Sequence, residues 1–280
     1  MALGKEVKAD DVFDSVEEKR EGYVYLFYGE QGSGKTFTAM SGERPVHVID
    51  TELRADITAQ ELGDDDIRIT EPAQINIEEV DPDSPLEDAI SIPESLDGVN
   101  NAVIALFNSY NNGDIEGGTV VLDSATDLWD WCQEWGKSRL MEAGDVNEAN
   151  FRLDNQFDWG MIKNKHYKMF SGLRVLAKKH GVNVVFTARE KKRPDYTSGE
   201  GSEHYIKCEK TVPFWAEVTV RFSKEVRKGQ MKHVATFDKL AANNQPTGEL
   251  VNPKFEDIQR VVEQGEIPDQ KDEEQQQGGL

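Results

Sequence analysis

A glycine-rich string set between a strand signal and a helix signal constrains this chain more than any other feature. Tyr23 to Tyr28, "YVYLFY", is an apolar, aromatic-rich run suited to a buried strand, and "TFTAM" opens a helical pattern. Between them Gly29, Glu30, Gln31, Gly32, Ser33, Gly34, Lys35 and Thr36 satisfy G-x-x-x-x-G-K-[ST] without a gap. The glycines let successive backbone N–H groups converge on phosphate oxygens, Lys35 reaches toward the outer phosphates, and the Thr36 hydroxyl can ligate Mg²⁺.

The 280 residues suffice for one full core with tails. Asp and Glu number 53 against 32 Lys and Arg, a formal net charge of −21. Such a surface repels a phosphate backbone overall. Either the protein does not touch nucleic acid, or it works in high salt, where that repulsion is screened. Strings such as "ELGDDDIRIT" and "EEVDPDSPLEDA" fit a halophile's surface, whereas the lysine count is higher than that reading expects. No segment approaches a membrane-spanning apolar run, and the N-terminal residues lack the apolar core of a secretory signal. A cytoplasmic protein is expected, in the host cytoplasm if its source is viral. Cys132 and Cys208 lie far apart without C-x-x-C spacing, which gives neither a disulfide framework nor a zinc site.

Residues 1–20 read as an acidic extension, 21–267 as the folded domain and 268–280 as a polar, disordered tail. Inside the domain, Val46 to Ile49 is a strand that ends in acidic residues, and Ile67 to Thr70 is a further short strand. Residues 71–95, rich in Pro, Asp and Glu, read as a surface excursion. Val99, Ala102, Val103, Leu106 and Phe107 then share one helical stripe. Thr119 to Leu122 is a continuous apolar run ending in Asp123, the pattern of a central parallel strand that delivers a carboxylate at its C-terminal edge. It looks like a Walker B element, whose Asp orients Mg²⁺ opposite the Thr36 hydroxyl. Trp131 and Trp135 are expected on the domain's flank, and His166, on a later apolar helix face, as a partly buried core residue rather than a ligand. Val182 to Thr187 is another buried strand. Val218, Val220 and Phe222 alternate, turn near Gly229 and return through Val234 and Thr236 as a β-hairpin, after which "NPKFEDIQRVVEQG" closes the domain with a helix.

GTP is disfavoured, because the Asn-Lys pair at Asn164 and Lys165 has Tyr167 where the guanine-reading Asp of N-K-x-D belongs. The string "VIDTE", Val48 to Glu52, puts a carboxylate directly after the second strand, where it could polarise an attacking water. This resembles the RecA/RadA recombinase ATPases, whose Ile-Asp-Thr-Glu string carries the catalytic glutamate. "VVLDSATDLW" looks like that family's Walker B, and "VVFTARE" occupies the place of its phosphate-sensing strand. There Ala188 and Arg189 replace the usual Asn-Gln; together with the Trp-containing helix and the late "NPKFEDI", this looks more like the compact RecA-like ATPases of tailed phages and archaeal viruses, some associated with single-strand annealing.

The resemblance implies a three-layer α/β RecA-like fold with a mainly parallel sheet and a C-terminal β-hairpin, and ATP and Mg²⁺ as cofactors. Glu52 is then the general base, Lys35 and the loop hold the triphosphate, and Thr36 and Asp123 set the metal. Arg189 either contacts the γ-phosphate, in its own subunit or a neighbour's, or only pairs with a carboxylate near the strand end. Residues 190–213 occupy the position of the recombinases' mobile DNA-binding loop, with Lys191, Lys192 and Arg193 as its basic cluster and Tyr196 and Tyr205 as stacking faces. A second basic patch, Arg227, Lys228, Lys232 and His233, reads as solvated charge, a DNA contact or a subunit contact. The expected activity is ATP hydrolysis coupled to single-stranded DNA in viral recombination, annealing or replication. A homo-oligomeric ring or filament is expected, with a single-strand binding protein or other replication proteins as further partners and no membrane. The alternatives are an oligomeric motor that translocates DNA or remodels protein, and a nucleotide-switched binding protein.

Overall fold

Strand β1, Val24–Gly29, is buried along its whole length and organises the sheet of this computed structural model, which describes residues 22–75, 90–144, 156–194, 202–240, 246–265 and 267. It runs parallel to β5 (Asn183–Pro194) on one side and to β7 (Val218–Arg227) on the other. Outward from β5 lie β4 (Thr119–Asp123), β2 (Val46–Asp50) and β3 (Ile67–Thr70), each parallel to its neighbour. Beyond β7, β8 (Gln230–Leu240) and β9 (Glu249–Val251) pair antiparallel, and β6 (Ser202–Lys207) pairs antiparallel with the distal half of β5. Because β5 enters between β1 and β4, the carboxyl ends of β1, β2, β4 and β5 meet at one edge, where parallel α/β sheets bind ligands.

Alternation along β1 builds the layers. Val24, Leu26 and Tyr28 face a core made with α3 (Ile92–Asn112), α4 (Ala125–Gly144) and α5 (Gln156–His180). Tyr25 and Phe27 face the opposite core, shared with α1 (Lys35–Met40), α2 (Ala55–Leu62) and α7 (Phe255–Gln264). In that second core the Phe255 ring lies 4.9 Å from Tyr25, centroid to centroid, which pins α7 against the sheet. A short helix, α6 (Val212–Trp215), sits before β7. The C-terminal hairpin turns through Lys228 (φ 49°) and Gly229 (φ 77°), the two left-handed residues that a tight hairpin between right-twisted strands requires.

Two boundaries differ from expectation. The acidic excursion ends before residue 95, because α3 begins at Ile92 with Pro93 in its first turn. Ser95 is buried there, accepting from the Gln74 N–H at 2.9 Å and donating to the Ser91 carbonyl at 2.7 Å. The segment 190–213 is not an irregular loop at its base, since β5 continues to Pro194 and pairs with β6 as a two-stranded ribbon. Residues 1–20, 76–89, 195–201 and 268–280 lie outside the described residues, and Tyr196 with them. Among the described residues no helix is long and apolar enough to cross a membrane.

Trp131 is buried on α4, as expected, and His166 is more deeply buried than expected, with no accessible surface. Its ring stacks on Phe170 at 4.3 Å, and among the described residues neither ring nitrogen has a hydrogen-bond partner. Burial pushes its pKa down to about 4, against the opposing pull of Glu209. A base whose folded pKa lies below its unfolded value binds fewer protons when folded, so the folded state loses stability progressively as pH falls from about 6.5 to about 4. Lowering the pH from about 7 to about 5 is expected to cost the wild type on the order of 2 kcal/mol more than His166→Phe. Urea unfolding at both pH values checks this, and equal losses in the two proteins would remove His166 as the titrating group.

Candidate active site

The loop after β1 keeps its expected shape. Gly32 (φ 69°) and Gly34 (φ 95°) are left-handed, and a Cβ at Gly29 would collide with the Phe222 carbonyl of β7. A Cβ at Gly34 would stand 3.2 Å from the His233 ring, so β8 walls the loop on that side. Glu30, Gln31 and Gly32 are exposed, whereas Ser33 is buried. The Lys35 ammonium folds across the loop and donates to the carbonyls of Gly29 (3.1 Å) and Glu30 (2.8 Å). Burial lowers its pKa, opposed by the charges of Asp123 and Glu52.

Asp123, at the carboxyl end of β4, faces the start of α1. Thr36 donates to its Oδ2 at 2.9 Å, and Thr187 of β5 donates to its Oδ1. With 3% of its surface exposed, Asp123 is pushed up to about 6 by burial and then by the charge of Glu52, while the two threonine hydrogen bonds pull the other way. A hydroxyl and a carboxylate oxygen in contact form a hard-oxygen pair suited to Mg²⁺. Among the described residues no group of three or more His, Cys, Asp or Glu could hold a metal ion, and Mg²⁺ bound to a nucleotide needs none, since phosphates and water complete its shell.

The two acids of "VIDTE" do different jobs. Asp50 has no accessible surface, and its carboxylate accepts four backbone N–H groups: Glu52 and Leu53 at 2.9 Å, Arg54 at 2.8 Å and Ala55 at 2.7 Å. It therefore shapes the turn and caps the start of α2, where Arg54 itself supplies no side-chain cap. The Thr51 N–H donates to the Asp123 carbonyl at 2.6 Å, stitching the ends of β2 and β4 together. Glu52, held on that turn, directs its carboxylate toward β5.

There it meets Arg189. The guanidinium donates to Glu52 Oε1 from Nε at 3.2 Å and lies 3.1 Å from it through Nη2. Nη2 also donates to both oxygens of Asp127, at 2.8 and 2.7 Å. Burial alone would lower the Arg189 pKa, and the facing charges of Asp127 and Glu52 more than offset it, so the pKa rises. Of the two expectations for Arg189, pairing with carboxylates is what this structure contains.

A profile of the family described as an AAA domain matches residues 21–243. The chain belongs to the AAA domain family. No curated protein matches it. Among solved structures it is similar to a KaiC-like protein from the hyperthermophilic archaeon Pyrococcus horikoshii, at 16% identity and a TM-score of 0.42, over 82% of this chain and 85% of that one. It is also similar to the RadB recombinase, at 14% identity and a TM-score of 0.45, over 83% of this chain and 87% of that one. This AAA domain carries its glycine-rich phosphate loop on a mainly parallel sheet, with the C-terminal hairpin expected from the sequence.

Some of the AAA domain's basic residues are paired with carboxylates. Lys191 and Lys192 are exposed on β5, and Lys192 pairs with Glu30 of the phosphate loop at 3.2 Å. Arg193 lies on the same ribbon, opposite Glu203 in register. At the other hairpin, Arg227 is taken up by Glu225 (2.7 Å) and Glu249 (2.6 Å), and His233 packs against Gly34, so these residues do not form a uniform basic face. Four residues near the site were missed by sequence reasoning: Asp50 as a turn-former, Thr187 beside Asp123, Asp127 beside Arg189, and Lys224, which donates to the Gln31 carbonyl at 2.8 Å. Only Asp127 leaves a local signal, since Ser124 and Asp127 have the spacing of a helix-capping pair.

Proposed function

We propose that this AAA domain is a Mg²⁺-dependent ATPase whose turnover is coupled to single-stranded DNA, acting in recombination, annealing or replication of phage or archaeal-virus DNA. The observation that carries the reading is the meeting of Thr36 with Asp123 and of Glu52 with Arg189 beside one glycine loop, each pair within hydrogen-bond reach. Loop amides and Lys35 hold the triphosphate, Lys35 exchanging its two loop carbonyls for phosphate oxygens. Thr36 and Asp123 would hold Mg²⁺, which would supply positive charge against the phosphates. Glu52 takes the proton of the attacking water as the oxygen bonds to the γ-phosphorus and the bond to the β-phosphate oxygen breaks, leaving ADP and phosphate. Arg189 stabilises the charge that develops on the transferred group.

Support for the DNA partner is the ribbon of β5 and β6, which carries Lys191, Lys192 and Arg193 on an otherwise acidic chain and touches the phosphate loop through Lys192 and Glu30. A ring or filament of copies on DNA, with a single-strand binding protein or other replication proteins nearby, fits this reading. The acidic composition supports a high-salt setting.

The test is ATP turnover with and without single-stranded DNA, in dilute and molar KCl, for wild type, Lys35→Ala and the triple change of Lys191, Lys192 and Arg193 to Ala. Stimulation by DNA is expected in the wild type, with loss of all turnover in Lys35→Ala and about tenfold weaker DNA affinity in the triple variant. Turnover indifferent to DNA would redirect the reading toward a motor substrate or a protein partner.

A further inference from the structure

We propose that Asp127 is the positioning residue for Arg189, and that the pair holds Glu52 in a locked arrangement until a third phosphate draws the guanidinium away. The proposal rests on the reading of Glu52 as base and Arg189 as phosphate-facing cation. It adds a residue and a nucleotide-gated step to that site.

Three features of the geometry point to it. First, the Asp127 carboxylate is itself fixed. The Ser124 hydroxyl donates to its Oδ2 at 2.7 Å, and the Asp127 N–H donates back to the Ser124 hydroxyl at 3.2 Å, a reciprocal cap on the first turn of α4. Second, Arg189 is tied to the same turn by its backbone, whose N–H donates to the Thr126 hydroxyl at 2.9 Å, while that hydroxyl donates to the Lys207 carbonyl at 2.6 Å. Third, the guanidinium is seated unequally, at 2.7 and 2.8 Å from the Asp127 oxygens and 3.1 to 3.2 Å from Glu52. Asp127 is the anchor and Glu52 the looser partner.

The chemistry follows from charge. One guanidinium shared by two carboxylates leaves a net negative group facing the loop. Glu52 in this arrangement spends its carboxylate on Arg189 rather than on a water molecule. A γ-phosphate next to the loop presents more negative charge to Arg189 than one carboxylate does. Arg189 can turn toward it while Asp127 keeps the other side of the guanidinium in place, which frees Glu52 when the substrate to be cleaved is present. ADP lacks that phosphate and leaves the lock closed.

A plain structural staple between α4 and β5 would also place these atoms together, so the test must read more than stability. Asn at position 127 keeps an oxygen to accept from Ser124 and loses the charge that anchors Arg189. Asp127→Asn is expected to lower kcat by about tenfold, with affinity for a fluorescent ADP analogue within about twofold of wild type. Asp127→Glu is expected to recover part of the loss. In a double-mutant cycle, Asp127→Asn combined with Arg189→Ala should be no slower than Arg189→Ala alone, because Asp127 acts only through Arg189. The proposal is overturned if Asp127→Asn stays within about twofold of wild-type kcat, or if its effect multiplies that of Arg189→Ala. If Asp127→Asn does not fold, Asp127→Glu and the same cycle built on it decide the matter. Glu52→Gln run in parallel separates the two levels: an active Glu52→Gln removes the underlying reading of the base, whereas an inactive one beside a fully active Asp127→Asn removes only the lock.

Discussion

Glu52→Gln is expected to bind ATP within about twofold of wild type and to hydrolyse it a hundredfold to ten-thousandfold more slowly, roughly the range that a positioned general base contributes. The change is nearly isosteric. The side-chain carbonyl of Gln can still accept from Arg189, and the backbone at position 52 remains fixed by Asp50 Oδ1 at 2.9 Å, so the turn has no reason to move. Lys35 at the start of α1, and the carbonyls of Gly29 and Glu30 that it caps, form no hydrogen bond with the altered group. What disappears is the capacity to take a proton. The variant should therefore accumulate as an ATP complex, visible as unchanged titration with a fluorescent ATP analogue beside a vanished phosphate-release signal. Turnover within about tenfold of wild type would take the base role away from Glu52 and leave Asp127 as the remaining carboxylate on Arg189 to examine.

How much of this was readable in the sequence depends on whether a feature is local. The phosphate loop is written in eight consecutive residues, and its glycines are needed where φ is positive or where β7 comes close, so motif and geometry agree. The strand leading to Asp123 is an unbroken apolar run because both of its faces are covered, and the hairpin turn at Lys228 and Gly229 is legible from alternation ending at a glycine. The ribbon was not legible as strand. "EKKRP" has no apolar alternation, and β5 continues through it because Lys191 and Lys192 find partners opposite Tyr205 and His204 across the register. Glu190, at the ribbon's base, has its side chain covered and bonded to Arg221 at 2.8 Å and His204 at 3.0 Å, a long-range arrangement that no window of sequence displays. The pairing of Arg227 within the second basic patch was hidden for the same reason, since Glu249 reaches it from another strand. Within "VIDTE" the letters show two acids, and only the folded geometry assigns one to the turn, through local backbone hydrogen bonds, and one to the site, through its long-range contact with Arg189.

That division of labour carries the other large effect. Asp50→Ala is expected to destabilise the fold by about 3–5 kcal/mol, because it strips a common acceptor from four backbone N–H groups at a position with no accessible surface. Water has little room to replace it. The Ala55 N–H is itself buried among the residues that α2 packs on the sheet, and an unpaired buried donor costs more than an exposed one. The same loss frees the turn that carries Glu52, whose N–H would keep only a 3.3 Å contact with the Asp123 carbonyl. Turnover should then fall by about a hundredfold even at temperatures where the protein remains folded, since small displacements of a catalytic group are enough for losses of that size. Asp50→Asn, which keeps one side-chain oxygen, should fall between Asp50→Ala and wild type in both respects. Urea unfolding and steady-state turnover, measured on the same preparations, check the pair of effects. If Asp50→Ala unfolds at the wild-type midpoint and turns over normally, Asp50 does not organise the turn, and the orientation of Glu52 must come from its contact with Arg189 alone.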